Sequence, residues 1–259
     1  MAVSLGRRPT LPTRSRGPLP DLGSGFAGER GAHELRSFGR RRGRPLSARQ
    51  RSLLEELLPR LGLDLAGAPP RSLQALFPAP VSQVWLEIGF GGAEHLVWQG
   101  RHNAHIGLIG CEVFEEGIVK ALSAIEEHAL SNIRLSTDDA RAILRWLPEA
   151  SLSRVFVLFP DPWPKKRHVK RRLVGAPLLD LLARAMAPGG ELRIATDIGD
   201  YARTILLAAC AHPAFAWQAE GPKDWRERGP DWPPTRYEGK AAQEGRHSYY
   251  FRLVRKSCP

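Results

Sequence analysis

Cysteine is scarce. The 259 residues contain three, Cys111, Cys210 and Cys258, with no C-x-x-C spacing, which speaks against a disulfide framework or a thiolate zinc site. The eight histidines form no H-E-x-x-H or other ligand spacing, so no metal is expected. Long apolar runs are missing too. None approaches the about 18 residues that a membrane helix needs, and no membrane partner is expected. The Arg-rich start lacks the apolar core of a secretory signal, and the expected location is cytoplasmic.

Acids are outnumbered: 27 stand against 38 Lys and Arg, for a net charge of +11. Scattered over a surface, such an excess only aids solubility; here it is concentrated. Residues 1–51 hold twelve arginines and three acids. Six further cations, Lys165, Lys166, Arg167, Lys170, Arg171 and Arg172, fall within eight positions of KKRHVKRR. Two compact basic segments suit a polyanionic partner, because counterions are released only where cations can reach phosphates.

The chain is long enough for one large domain and an appendage. Residues 1–45 form a basic arm, rich in Pro, Gly, Ser and Arg and too poor in apolar side chains to offset the entropy of ordering. Over 46–80 the spacing of Leu53, Leu54, Leu57, Leu58 and Leu61 predicts an amphipathic helix stopped by Gly62, followed by a Pro-rich linker. From 81 to 259 short apolar runs alternate with helical patterns. VWLEIGF, HIGLIGCE, IRLSTDD, RVFVLFP and ELRIATD read as strands buried on both faces; the segments between them read as helices. This alternation predicts a doubly wound α/β fold with a mostly parallel sheet, whose ligands bind at the carboxyl ends of the strands. Two more strands are expected near 215–220 and 247–255, joined by a long polar loop of the kind that is usually functional.

Polar residues gather at those strand ends. LEIGFGGAEH supplies Gly89, Gly91 and Gly92 for close backbone approach, but Glu94 would oppose a pyrophosphate, so the dinucleotide fingerprint is not met. Glu112 stands where a carboxylate accepts hydrogen bonds from a ribose diol, and Glu87 could face a cationic amino group. A cofactor with a ribose and no phosphates, such as S-adenosylmethionine, fits that arrangement. Asp139 and Asp197 each have two readings, a wall of the site or a helix N-cap. In FPDPW, Pro160 and Pro162 stiffen the chain around Asp161, and Trp163 offers a ring on which a base can stack. A cationic run is more often a solvated patch than a site; its place beside the cofactor edge favours the site.

With LEIGFG, Glu112, PDPWPKKRHVKRR, ATD and TRYE in this order, the sequence resembles the bacterial tRNA (guanine-N7-)-methyltransferase family over about residues 35–255. SFGRRRGRPLSARQ is similar to that family's N-terminal segment. The resemblance implies a Rossmann-like class I methyltransferase fold, S-adenosylmethionine as methyl donor, and tRNA as partner. It implies methylation at N7 of the variable-loop guanosine conventionally numbered forty-six. By motif position, Glu87, Gly89, Phe90, Gly91, Glu112, Asp139 and Asp161 would contact or border the cofactor, with Asp161 the catalytic candidate. Lys165, Arg167, Lys170, Arg171, Arg172, Asp197, Thr235, Arg236, Tyr237 and Glu238 would engage the substrate. Position 93 is Ala where the family usually has a third glycine, and a slightly narrower approach is expected there. Other readings stand beside this one: a methyltransferase acting on an exocyclic amine, a nicotinamide dehydrogenase, or a non-catalytic RNA-binding protein on the same scaffold. Either a monomer or a homodimer is compatible with the sequence.

Overall fold

The computed structural model describes residue 41 and residues 43–257. Most of the predicted basic arm, with part of SFGRRRGRPLSARQ and Cys258, lies outside the described residues.

The predicted amphipathic helix runs as α1 (Ala48–Ser52), a π-turn (Leu53–Leu57) and α2 (Leu58–Leu61). Ser47 and Gln50 form a capping box at its start, which satisfies two end donors. Pro59 has no N–H to give and crowds the preceding turn. The π-turn just ahead of it, where the Leu58 N–H donates to the Leu53 carbonyl, is a known way to absorb such a defect. Leu53 enters the core, and Leu54, Leu57, Leu58 and Leu61 pack around it. The Pro-rich segment that follows is itself packed: Leu73 and Phe77 are buried in the main core.

The sheet comprises β1 (Gln83–Ile88), β2 (Ile106–Cys111), β3 (Ile133–Ser136), β4 (Leu152–Leu158), β5 (Met186–Thr196), β6 (Phe215–Trp217) and β7 (Tyr249–Arg255). Their order is β3-β2-β1-β4-β5-β7-β6. β1 to β5 are parallel, and β7 inserts antiparallel between β5 and β6. Helices α3 (Glu94–His102), α4 (Glu115–Glu127), α5 (Ala140–Trp146), α6 (Ala176–Ala185) and α7 (Gly199–Ala211) provide the crossovers. Side chains alternate across each strand. Val84, Leu86 and Ile88 join one core cluster, while Trp85, between them, joins the cluster on the other face. Burial on both faces is why these strands lack the polar alternation of a half-exposed sheet.

The long loop expected after β6 is largely structured. It carries α8 (Lys223–Arg226) and α9 (Arg236–Gln243) and sends Trp232 into the core against Phe156 and Tyr250. Its polarity hid these elements because only Trp232 and Ala241 of it are buried. Among the described residues no helix is long and apolar enough to cross a membrane.

Candidate active site

β1 is flanked by β2 on one side and β4 on the other, so successive crossovers leave in opposite directions and open a crevice at the carboxyl ends. A cavity of about 360 Å³ lies there, walled by the turns after β1, β2, β3 and β4 and closed by Tyr237 of α9. That size suits a cofactor of nucleoside dimensions.

One wall is built from tight turns. Gly89 and Gly91 line it at φ +72° and +56°, conformations that side chains resist. Ala93, at the third glycine position, is also left-handed, at φ +67°, and N-caps α3. It is buried and does not line the cavity. The expected narrowing of the approach is therefore not what its methyl group does. Its cost is backbone strain of about 1–2 kcal/mol.

Glu112 is held by its own neighbourhood: the Gly91 and Phe114 N–H groups donate to its two oxygens, each at 2.9 Å. Each oxygen keeps acceptor capacity, so the carboxylate is aimed at the cavity with room for a diol. Asp139 fulfils both of its readings. It N-caps α5 by accepting from the Arg141 N–H at 2.9 Å and also lines the cavity. Burial pushes its carboxyl up, but the Arg141 hydrogen bonds and charge outweigh this and hold it below the ordinary value.

Two members of the expected cofactor set do not line the cavity. Glu87 neighbours Ile88 on β1 and so points to the opposite face, where it is buried and shares a 2.7 Å hydrogen bond with His95. His95 continues to Gln99, which donates to the Asp231 carbonyl at 2.9 Å. This chain ties β1 to the segment carrying Trp232. The Phe90 ring is buried in the core between β2 and α3.

The other wall is the loop after β4. Phe159 and Trp163 both adopt positive φ, +51° and +41°, unusual for bulky residues and characteristic of strained functional segments. Each is followed by a proline. Between them Asp161 is exposed on the cavity wall. Tyr237 lies nearly parallel to Phe159, at 19° with 6.4 Å between centroids, and it abuts the turn at Gly91. The neighbouring Arg236 pairs with Glu94 at 3.4 Å, docking α9 on the start of α3.

The basic run forms a 3-10 helix, Lys166–Arg171. Lys165, Lys166, Arg167 and Lys170 are exposed on it. Partial desolvation and the charges of Arg171 and Lys165 lower the pKa of His168. Arg171 lines the cavity with its guanidinium over the Trp163 ring, 5.0 Å from the centroid. Arg172, expected on the substrate, is instead turned inward with its side chain 4% exposed, held by the Pro162 carbonyl, Thr204 and Asp200.

Three other substrate candidates also have structural roles. Asp197 does not cap α7, whose N-cap is Ile198; it pairs with Arg246 at 2.7 Å. Thr235 caps α9 by accepting from the Glu238 N–H at 3.3 Å, and Glu238 pairs with Arg228 at 3.1 Å. Of the TRYE stretch, only Tyr237 lines the cavity. Phe159, Phe114 and Leu173 also line it and escaped notice as site residues. Phe159 closed an apolar run and read as core; the others carry no local signal.

A family model described as "Putative methyltransferase" matches residues 82–251. The chain is 51% identical over 234 residues to a tRNA (guanine-N(7)-)-methyltransferase of Rhodospirillum rubrum, covering 88% of this chain and 91% of that one. It is 48% identical to the Chelativorans sp. protein of the same name, over 84% of this chain and 94% of that one. The Brucella anthropi protein, also so named, is 47% identical over 87% and 98%.

Proposed function

Because the chain belongs to the tRNA (guanine-N(7)-)-methyltransferase family, we propose that it transfers a methyl group from S-adenosylmethionine to N7 of a tRNA guanosine, the variable-loop residue conventionally numbered forty-six. The observation that carries this reading is one cavity with Glu112 on one wall and Asp161 on the other.

The cofactor fits the residues present. Glu112 has free acceptor capacity for a ribose diol, Asp139 stands beside it, and the turn at Gly89 and Gly91 admits close backbone approach. The acid at Glu94, where the helix begins, disfavours a pyrophosphate. When bound, S-adenosylmethionine supplies an electrophilic methyl group on a sulfonium sulfur. Glu112 and Asp139 would hold its nucleoside half at this wall.

Guanine N7 has an in-plane lone pair and no proton at neutral pH, so this site needs no general base. Its work is positioning and electrostatics. As N7 takes the methyl group, positive charge develops on the purine, and the Asp161 carboxylate stabilises it more strongly the further the bond has formed. The rings of Phe159, Trp163 and Tyr237 offer stacking surface for the base. The exposed Lys165, Lys166, Arg167 and Lys170 take up phosphates, which fixes orientation without reading sequence.

Nucleoside analysis of tRNA after incubation with methyl-labelled donor tests the proposal. The expected product is 7-methylguanosine. Label recovered as 6-methyladenosine, or none transferred at all, would overturn it.

A further inference from the structure

The cationic run ends in adjacent arginines that the fold uses differently. Arg171 stays at the cavity beside Trp163, whereas Arg172 is committed to the interior. Its Nε donates to the Pro162 carbonyl at 2.9 Å, one Nη to Thr204 Oγ1 at 3.3 Å and the other to Asp200 Oδ2 at 2.8 Å. The guanidinium also lies over the Tyr201 ring, 4.8 Å from its centroid. The Tyr201 hydroxyl in turn accepts from the Val174 N–H at 2.9 Å. A charge this enclosed, with each of its three nitrogens already donating, is not available to a phosphate.

We propose that Arg172 is a positioning residue for the methyl transfer: it clamps the Pro162 carbonyl to the first turns of α7 and thereby sets where the Asp161 carboxylate stands. The inference rests on the proposed reaction. Pro162 directly follows Asp161, and the segment is strained on both sides, at Phe159 and Trp163. Strained backbone persists only where its surroundings over-determine it. At the start of the loop the Phe159 N–H is anchored to the Ala195 carbonyl at 2.8 Å. Past Asp161, the Arg172 fork anchors the main chain at the Pro162 carbonyl. Its rigid planar donors can hold a carbonyl, a hydroxyl and a carboxylate together, which a lysine ammonium cannot reproduce in that geometry.

The test compares wild type, Arg172→Met and Arg172→Lys in the full-length protein. It measures kcat at saturating donor and tRNA, tRNA Kd across a salt series, donor Kd by calorimetry, and Tm. Arg172→Met is expected to lose about 10²-fold in kcat, the scale of a small misplacement at a reacting centre. Its tRNA Kd, salt slope and donor Kd are expected to stay at wild-type values. Arg172→Lys, which keeps a cation beside Asp200, is expected to fold like wild type and to recover part of the rate. If Met prevents folding, the Lys variant carries the test through its kcat loss at unchanged Kd. An unaltered kcat in the Lys variant, or weaker tRNA binding with a salt slope shallower by about one, would overturn the inference. A wild type that forms no 7-methylguanosine would instead overturn the reaction itself.

Discussion

The two walls of the cavity hold their functional side chains in different ways. On the cofactor side the fixing bonds are mostly local: Glu112 is gripped by Gly91 and Phe114, and Asp139 by Arg141 two residues on. On the substrate side they are long-range. The loop bearing Asp161 is held by Ala195, by Arg172 reaching α7, and by Tyr237 from near the chain's end. Two of those three bonds span two residues, and the third joins the adjacent turns after β1 and β2, so this wall assembles with neighbouring parallel strands. The opposite wall exists only when β5, α7 and α9 are in place, so it is the wall more exposed to distant substitutions.

Asp161→Asn gives the sharpest break between the walls. Removing one preorganised electrostatic group costs about 10²–10³ in kcat, while donor affinity, which the proposed function assigns mainly to Glu112 and Asp139, is expected to stay near wild type. Steady-state kinetics beside calorimetry checks both. Neutralising Lys165, Lys166 and Arg167 together affects the substrate wall alone, weakening tRNA binding and flattening the slope of log K against log salt by about 2–3. Binding measured at several salt concentrations checks it; an unchanged slope would place the phosphate contacts elsewhere.

Tyr237→Ala removes a ring from the cavity edge. It is expected to cost about 1–3 kcal/mol of base stacking, read as a raised KM for tRNA, with Tyr237→Phe close to wild type.

Away from the cavity, at the other end of the parallel strands, Glu191 on β5 faces Arg154, Arg193 and Arg252. Burial raises its pKa, but the surrounding guanidiniums outweigh burial and leave it lowered. A carboxyl lowered by folding stabilises the native state above its unfolded value of about 4.3, and that contribution is lost as pH falls through the folded value. Glu191→Gln is therefore expected to cost about 1–3 kcal/mol at pH 7 and to show a flatter decline of Tm below pH 5. The smallest effect is expected from Ala93→Gly at the start of α3. It releases left-handed strain and, after the added freedom of glycine in the unfolded chain, is expected to gain about 0.5–1 kcal/mol in chemical denaturation.

Legibility followed the same division. The five parallel strands and their helices were readable because two-faced burial leaves continuous apolar runs, and the turn glycines because few other residues accept φ near +60°. Glu112, Asp139 and Asp161 were readable from their places at strand ends. The directions of side chains were not. Glu87 shares its strand end with Ile88, and which of the two meets the cavity depends on the facing helix. Arg172 is indistinguishable in sequence from Arg171, yet one turns to the cavity and the other to α7. Thr235, Glu238 and Asp197 are polar residues near a site, but their side chains go to the Glu238 N–H, to Arg228 and to Arg246.

The order of apolar runs, the punctuating glycines and prolines, and the two basic clusters are local properties, and they determined the fold class and the sheet edge where the cavity opens. Tertiary structure alone decided which charges face the cavity and which brace it, because a side chain's partner is chosen by whatever the folded chain brings within about 3 Å, however distant in sequence.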